Sequence, residues 1–342
     1  MKTVLINQTG SVTLTNAEQP HALPGYAVVQ MKALSICGSD INTYRGTGTK
    51  VSYPRIPGHE AAGIISEILP EDAAKYNLTT GTRVVVDPYL HCDHCYPCSL
   101  GHTNCCESLQ CLGVQTDGTM REYLLHPVSQ LLPVDDALPF ELVPLSEPLT
   151  ISLHAIHSVG LSAGEKFAIF GAGPIGLLAA MAAKFAYNAV PILIDVVKER
   201  LEFANTLGIE HTIDSKSTNL EQEISRLTDG RMAETVLEAS GASIAIANSL
   251  NIASYCGRIA LTGWPTNDTA LATSIITKKE LKVYGSRNSK GEFPEALQLI
   301  SNGTVNARAV LSEIVSFDGL PQAIINIAEK PDKYLKIAAL ID

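Results

Sequence analysis

The sequence is poor in charged and aromatic residues, and the charges it has are mostly acidic. Of its 342 residues, 18% are charged and 6% are aromatic, and the formal net charge is -10. An acidic chain has no general attraction for nucleic acid or for an anionic membrane surface, so we expect neither as a partner. A small anionic substrate held by a local arginine is compatible with this charge.

Long apolar runs are also missing. The most apolar stretch, Phe167 to Ala183, is interrupted by glycines and by Pro174 and is followed by Lys184. It is shorter than the roughly 20 residues that a membrane helix needs. The segment MKTVLINQTGSV has neither a long apolar core nor a small-residue cleavage site, so we expect no signal peptide and a cytoplasmic protein.

The length of the chain and its 46% of hydrophobic residues predict about two ordered domains. Short strands separated by glycine and proline dominate roughly the first 140 residues, as in a partly open β-barrel. Helices and strands then alternate, with a strand expected at Arg258 to Leu261, which indicates a doubly wound parallel sheet. We therefore predict an α/β fold in which a Rossmann domain, residues 150–287, is inserted in a discontinuous, mainly β domain, residues 1–149 plus 288–342.

A glycine-rich motif lies at the start of the predicted Rossmann domain. The apolar run Phe167 to Phe170 is followed by GAGPIG and then by strong helix formers from Leu177 to Phe185. This order predicts a strand, a tight turn and a helix. Gly171 permits the turn, Gly173 lets a pyrophosphate approach bare backbone, and Gly176 lets the helix pack on the strand. The helix N-terminus adds unpaired N–H groups, so we predict a dinucleotide site.

An acidic residue at the expected distance supports this prediction. A second apolar run, Val190 to Ile194, ends at Asp195, nineteen residues after Gly176. A carboxylate there can bind both ribose hydroxyls of adenosine and would repel a 2′-phosphate, which favours NAD over NADP. Arg200 lies either against the adenosine or on a solvated helix face. Glycine-rich turns also occur for structural reasons, but here strand, helix, second strand and acid occur together.

Six of the eight cysteines lie between residues 92 and 111. Without a secretory signal a disulfide framework is disfavoured, so this clustering indicates metal binding. Cys92, Cys95 and Cys98 are spaced three apart and Cys106 follows. Four thiolates at this spacing can close around one tetrahedral zinc ion, with no position left for substrate, so we predict a structural site.

Alternatives remain within the cysteine cluster. The thiols could be unrelated buried or redox-active cysteines, and Cys105 beside Cys106 leaves the register of the fourth ligand ambiguous. His91, His94 and His102 could replace a cysteine, but we expect them on the loop surface.

A second set of potential ligands is scattered along the chain. Cys37, His59, Glu60 and Glu147 offer a thiolate, an imidazole and two carboxylates. A mixed ligand set with one position left to water is typical of catalytic zinc. Each residue alone is more often structural, and their spacing does not prove that they converge.

The motifs together resemble the zinc-dependent medium-chain alcohol dehydrogenases. The order is Cys37-Gly38-Ser39-Asp40, Gly58-His59-Glu60, the cysteine cluster, Glu147-Pro148, and GAGPIG with Asp195. Within that family the chain is most similar to the sorbitol, threonine and sugar-acid dehydrogenases. The resemblance implies a homo-oligomer, commonly a dimer or tetramer, that uses NAD and two zinc ions per chain, one catalytic and one structural.

The resemblance also implies roles for individual residues. Cys37, His59 and a glutamate bind catalytic zinc, with Glu60 and Glu147 competing or alternating for the remaining protein position. Ser39 begins a proton relay. The cofactor is expected to be surrounded by six residues besides the glycines of GAGPIG: Ile175, Asp195, Arg200, Gly263, Ser286 and Arg287. One departure is Asn42, which occupies the position of a relay histidine and cannot titrate near neutral pH.

The substrate expected from the resemblance is a sugar acid. The segments Ser52-Tyr53-Pro54-Arg55 and Gly285-Ser286-Arg287-Asn288 resemble the L-gulonate, L-galactonate and L-idonate 5-dehydrogenases. Arg287 could clamp a carboxylate or could instead contact the cofactor or a domain interface. Other pocket candidates are Tyr44, Arg55 and Arg121. Alternative substrates are a polyol and L-threonine, and the non-enzyme alternative is an NAD-binding zinc regulator.

Overall fold

A computed structural model describes residues 1–47 and 52–342, and in it the chain divides into two compact units. The first unit comprises Met1–Glu147, Phe293–Ser301 and Leu311–Asp342. The second unit comprises Pro148–Glu292 and Asn302–Val310.

In chain order the strands are β1 (Lys2–Gln8), β2 (Ser11–Asn16), β3 (Tyr26–Ser35), β4 (Glu60–Glu67), β5 (Arg83–Val86), β6 (Tyr89–Leu90), β7 (Gln110–Cys111), β8 (Tyr123–Pro127), β9 (Leu131–Pro133), β10 (Lys166–Phe170), β11 (Val190–Asp195), β12 (His211–Asp214), β13 (Ala233–Glu238), β14 (Ala253–Leu261), β15 (Lys282–Gly285), β16 (Leu311–Ser316) and β17 (Lys336–Leu340). The helices are α1 (Gly38–Arg45), α2 (Pro70–Tyr76), α3 (Tyr96–Ser99), α4 (Ser146–Val159), α5 (Pro174–Phe185), α6 (Lys198–Thr206), α7 (Leu220–Leu227), α8 (Ser243–Ile252), α9 (Thr273–Lys279), α10 (Phe293–Ser301) and α11 (Leu320–Glu329).

The first unit is organised around a seven-stranded, mostly antiparallel sheet. The strand order is β16-β17-β3-β4-β5-β9, and β8 also pairs with β3. Because β3 contacts three other strands, its side chains are buried along most of its length, and Val29, Met31 and Leu34 are fully inaccessible to solvent. The prediction of a mainly β domain is confirmed.

The second unit contains a parallel six-stranded sheet in the order β12-β11-β10-β13-β14-β15. The order reverses between β10 and β13, which creates the switch point at which doubly wound sheets bind ligands. Helix α5 follows β10, and its residues from Gly176 to Ala183 are all buried, as expected for a helix packed on a sheet. The predicted doubly wound fold is confirmed.

Two element boundaries differ from those predicted. Helix α5 begins at Pro174 rather than Leu177, because a proline in the first turn lacks only an N–H that would have no helical partner. Strand β14 begins at Ala253 rather than Arg258. Its first part contains exposed Tyr255 and Cys256, and its pairing with β13 is irregular there, so the strand pattern is interrupted in the sequence.

Within residues 1–47 and 52–342, every helix is too short or too polar to cross a lipid bilayer.

His126 on β8 makes folding stability depend on pH. The side chain is 1% exposed and its Nε2–H donates to the carbonyl oxygen of Asp87 at 2.9 Å. Burial lowers the pKa of His126 from 6.5 to about 4. Between pH 6.5 and about 4, the His126 side chain therefore binds a proton in the unfolded chain but not in the folded chain.

We predict that the contribution of His126 to the free energy of unfolding falls by up to about 3 kcal/mol as the pH drops from about 6.5 to about 4. Urea titrations of the wild type and of His126→Gln, whose amide can still donate to Asp87, should diverge in their pH dependence over this interval. Parallel pH profiles for the two proteins would contradict the prediction.

Candidate functional site

Antiparallel pairing of β3 and β4 brings three of the predicted ligands of the first unit together. Ser35, the last residue of β3, is paired with Glu60, the first residue of β4. Cys37 lies just beyond β3, at the start of α1, and His59 immediately precedes β4. One potential ligand atom from each of Cys37, His59 and Glu60 lies within 4.8 Å of the other two.

Asp40 connects the two segments that carry these ligands. Its carboxylate is fully buried and accepts the backbone N–H of Cys37 at 2.9 Å and that of Gly58 at 2.8 Å. The first bond belongs to a capping box at the start of α1, which the sequence signals by an acidic residue three positions after the N-cap. Asp40 therefore fixes the backbone at Cys37 and at Gly58, the residue before His59.

The Cys37–His59 pair has the chemistry of a metal site. Nδ1 of His59 is buried without a hydrogen-bond partner among the residues that the structure describes. Burial alone would lower the pKa of His59, but the neighbouring Cys37 sulfur outweighs it and the pKa is raised well above 6.5. A thiolate and an imidazole this close favour a shared cation, and with a carboxylate they match the mixed donors of catalytic zinc.

Glu60 is held by two side chains that the sequence analysis did not identify. Nζ of Lys336 donates to Oε1 of Glu60 and the hydroxyl of Ser35 donates to Oε2. Nζ also donates to the carbonyl oxygen of Ile36 at 3.1 Å. Although burial raises the pKa of Glu60, the Lys336 ammonium lowers it below the usual value, so Glu60 is an anion. A single lysine in the apolar strand KIAAL was the available sequence signal.

Glu147, near the start of α4, is close enough to His59 and Glu60 to interact electrostatically with both. Its Oε1 accepts the phenolic O–H of Tyr89, and both side chains are buried. Burial, assisted by the charge of Glu60, raises the pKa of Glu147 to about 7. Glu147 is thus held by a neutral donor, whereas Glu60 is held by a cation and belongs to the group of three convergent ligand atoms.

The other predicted pocket residues of the first unit have different surroundings. The Arg55 guanidinium donates to Asp117 at 3.1 Å and to Ser52, and Nε of Arg121 donates to the carbonyl oxygen of Gly118 at 2.9 Å. These contacts hold the loops that flank His59. Tyr44, the third pocket candidate, packs against the hydrophobic core. Asn42, which occupies the position of the relay histidine and was not a pocket candidate, is exposed on α1.

The cysteine cluster forms a second candidate metal site. The sulfurs of Cys92, Cys95, Cys98 and Cys106 all lie within 4.8 Å of one another, and those of Cys95 and Cys106 are 3.8 Å apart. Tetrahedral zinc with Zn–S bonds of about 2.3 Å separates its sulfurs by about 3.8 Å. Cys106 is buried in this group and Cys105 is exposed, which favours Cys106 as the fourth ligand. His91, His94 and His102, the possible replacement ligands, lie outside this group, and His94 and His102 are exposed.

In the second unit, the GAGPIG turn connects β10 to α5. Gly171 has a φ of +100°, which favours glycine, and a Cβ at Gly176 would lie 1.8 Å from the carbonyl oxygen of Gly171. Asp195 ends the neighbouring strand β11. Its carboxylate accepts the backbone N–H groups of Ala172, Val196 and Val197, so it is fixed beside the turn at the carboxyl edge of the sheet.

The remaining predicted cofactor residues also lie near the carboxyl ends of the strands. Ile175 is in the first turn of α5 and its carbonyl oxygen accepts the Ser152 hydroxyl at 2.9 Å. Arg200 is in the first turn of α6, and Gly263 follows β14. Ser286 and Arg287 follow β15, and the Ser286 hydroxyl is buried without a partner among the described residues.

We predict that Lys336→Met lowers the free energy of unfolding by about 3–5 kcal/mol, because it leaves the Glu60 anion buried without its counter-ion. Urea denaturation measures the effect. The double variant Lys336→Met/Glu60→Gln should recover most of the loss. Lys330→Met, which removes the same charge at an exposed position, should change stability by about 0.5 kcal/mol or less. A loss of under about 1 kcal/mol in Lys336→Met would contradict the buried ion pair.

We predict that Cys98→Ser removes about one zinc ion per chain, because one of four closing thiolates is lost. Inductively coupled plasma mass spectrometry of the purified protein measures the metal content. Cys105→Ser is the matched control and should retain the metal content of the wild type. Loss of zinc in the control instead would assign the fourth ligand to Cys105.

Comparison with known proteins connects this geometry to a family. The family model described as alcohol dehydrogenase GroES-like domain matches residues 23–136, and that described as zinc-binding dehydrogenase matches residues 174–302. A zinc-type alcohol dehydrogenase-like protein of Haemophilus influenzae is 46% identical, with 99% of this chain and 98% of the relative covered. L-galactonate-5-dehydrogenase of Escherichia coli is 32% identical, with 94% of each covered.

A solved structure agrees with these sequence relationships. An alcohol dehydrogenase from Escherichia coli CFT073 complexed with NADH is 30% identical, with a TM-score of 0.92 and 99% of each chain covered. The four-cysteine group and the Cys37–His59–Glu60 group are potential metal sites, which is consistent with a zinc-binding dehydrogenase. The chain therefore belongs to the zinc-dependent medium-chain alcohol dehydrogenase family and is an NAD-dependent alcohol oxidoreductase.

Proposed function

We propose that this protein oxidises the C5 secondary alcohol of a sugar acid, of the L-gulonate, L-galactonate or L-idonate type, to the keto acid. The observation that carries the proposal is the convergence of Cys37, His59 and Glu60 beside a second buried carboxylate. A relative of 32% identity is an L-galactonate-5-dehydrogenase, which favours a sugar acid.

In this proposal Cys37, His59 and Glu60 hold the catalytic zinc and Glu147 lies beside it. When bound, the ion supplies Lewis acidity that makes the alcohol a stronger acid. Lys336 keeps Glu60 anionic, and Tyr89 orients Glu147 by donating to its carboxylate. Glu60 and Glu147 thus have different hydrogen-bond partners. This difference gives a physical reason for one of them to be a zinc ligand and for the other to be the alternate ligand.

Ser39 is the proposed acceptor of the alcohol proton. Its hydroxyl is buried and has no hydrogen-bond partner among the described residues, so it is free to bond to the substrate. It lies on α1 two residues after Cys37. Asn42 is exposed and its amide does not titrate near neutral pH, so Asn42 would not take the proton from Ser39, and the proton would instead leave toward the cofactor ribose and water.

When bound, NAD would supply the acceptor for the hydride, and we propose that it is preferred over NADP. The Asp195 carboxylate, fixed by three backbone N–H groups, keeps a negative charge where a 2′-phosphate would bind. Ile175, Arg200, Gly263, Ser286 and Arg287 are proposed to surround the same cofactor. Arg287 is additionally the candidate clamp for the substrate carboxylate, because an arginine fork binds a carboxylate with two hydrogen bonds.

We predict a kcat/KM about tenfold or more higher for L-gulonate than for L-gulitol, because a hydrogen-bonded carboxylate contributes binding that the neutral polyol lacks. NADH absorbance with both substrates measures the ratio. Arg287→Met should reduce this preference. Equal efficiency with the two substrates would favour the polyol alternative. Turnover of L-threonine alone would favour an L-threonine dehydrogenase.

The same assay distinguishes the enzyme from an NAD-binding zinc regulator. Cys37→Ser should abolish turnover while NADH binding is retained, and Cys256→Ser, an exposed cysteine on β14, should behave as the wild type. Undiminished turnover by Cys37→Ser would refute the catalytic zinc assignment. About two zinc ions per chain favour the enzyme, and about one favours the regulator.

We further propose that two copies associate through β15. This strand is at the edge of the six-stranded sheet and has one strand neighbour among the described residues. Tyr284 on it is 36% exposed. An exposed edge offers unpaired backbone groups to the same strand of a second copy.

We predict that light scattering after size exclusion gives the mass of a dimer or tetramer. Tyr284→Lys should shift the mass to smaller species, because a charged edge disfavours strand pairing. Tyr96→Lys, at an exposed tyrosine of the first unit, should leave the assembly unchanged. A monomeric wild type would refute this association.

A further inference from the structure

Glu238 is a fully buried carboxylate that the chemistry described above does not use. It is the last residue of β13 and is 0% exposed. Strand β13 is the neighbour of β10 on the far side of the switch point from β11. Glu238 and Asp195 therefore occupy equivalent ends of the two strands that flank β10.

The Glu238 carboxylate holds the loop that follows β13. Oε1 accepts the backbone N–H of Ser240 at 2.9 Å and that of Gly241 at 3.0 Å, and it also accepts the Ser240 hydroxyl. Oε2 is 3.2 Å from the Gly241 nitrogen. A buried carboxylate with this many donors keeps the loop in one conformation.

The same residue also supports the turn that follows β14. The backbone N–H groups of Thr262 and Gly263 donate to the Glu238 carbonyl oxygen at 2.9 and 3.1 Å. A Cβ at Gly263 would lie 2.2 Å from the Gly241 nitrogen and 2.6 Å from Oε2 of Glu238. Only a residue without a side chain fits between the carboxylate and the loop.

These loops are in contact with the glycine-rich turn. A Cβ at Gly171 would lie 3.4 Å from the Ser240 nitrogen and 3.4 Å from its Cβ. The turns after β10, β13 and β14 thus stack side by side, with the Glu238 carboxylate between the last two.

The expected positions of the two halves of NAD indicate the role of the turns after β13 and β14. In a doubly wound sheet the pyrophosphate lies at the glycine-rich turn, and each half of the sheet takes one nucleoside. Asp195 on β11 marks the adenosine half. The loops after β13 and β14 consequently flank the nicotinamide half.

We propose that Glu238 is a positioning residue for the nicotinamide half of NAD, acting through the loop Ser240–Gly241 and the turn Thr262–Gly263. The proposal depends on NAD binding by the family and is independent of which alcohol is oxidised. Replacing the carboxylate by an amide removes the negative charge and one acceptor oxygen, which weakens the bonds from the Ser240 and Gly241 N–H groups, so the loop after β13 loses its fixed position.

The test compares Glu238→Gln with Glu234→Gln in the zinc-loaded, full-length protein. Glu234 is on the same strand, four residues before Glu238. Its Oε2 accepts the backbone N–H of Lys166 at 2.8 Å. The control therefore removes an equal charge and a similar hydrogen bond away from the loops. NADH fluorescence measures the affinity for the whole cofactor, and competition by AMP measures the affinity for the adenosine half alone.

Glu238→Gln should weaken NADH binding about tenfold, equivalent to about 1.4 kcal/mol, and change AMP binding by about twofold or less. Glu234→Gln should change neither. Ser240→Ala, which removes one of the bonds to Oε1, should weaken NADH binding by a smaller factor in the same direction.

Three outcomes would overturn the proposal. NADH affinity could be unchanged in Glu238→Gln, or NADH and AMP could weaken equally, which would indicate a general loss of structure. Equal weakening by Glu234→Gln would show that charge on the strand, rather than support of the loop, is responsible. A thermal melt of each variant identifies unfolding, and Ser240→Ala supplies the binding comparison if Glu238→Gln does not fold.

Discussion

The buried ion pair between Lys336 and Glu60 is the constraint on which the candidate metal site of the first unit depends. Lys336 is 4% exposed and Glu60 is 1% exposed, and the hydroxyl of Ser35 occupies the second carboxylate oxygen. Two charges buried this deeply are stable only when they are paired and hydrogen-bonded. The pair therefore fixes β17, near the end of the chain, against β3 and β4, where the candidate ligands lie.

Buried carboxylates that accept backbone N–H groups recur at the functional turns of both units. Asp40 fixes the backbone at Cys37 and Gly58, Asp195 fixes the turn after β10, and Glu238 fixes the loop after β13. Turns that approach a ligand carry N–H groups without a partner in a strand or helix, and a short acidic side chain satisfies several of them at once. The chain's acidic balance thus includes charges that organise its binding loops.

The fold was predictable where local signals agreed with one another. The run Phe167 to Phe170, the glycines of GAGPIG and the buried α5 each satisfied an independent requirement of a strand, turn and helix unit. The four-cysteine group was predictable because its thiols are close in sequence and their spacing is typical of a tetrahedral metal site. The amino-terminal part of β14 was missed because exposed Tyr255 and Cys256 interrupt its strand pattern.

By itself the sequence determined the fold class, the dinucleotide turn and the cysteine cluster, because each is encoded by short-range spacing. Only the tertiary structure decided that Cys37, His59 and Glu60 converge, since that depends on the register of β3 against β4. The partners of Lys336 and Tyr89 could not be identified from the sequence, although the single lysine in the apolar strand KIAAL is a local signal. Lys336 lies 276 residues from Glu60 in the sequence. The two form an ion pair only because folding buries both, which removes water and makes each the counter-ion of the other.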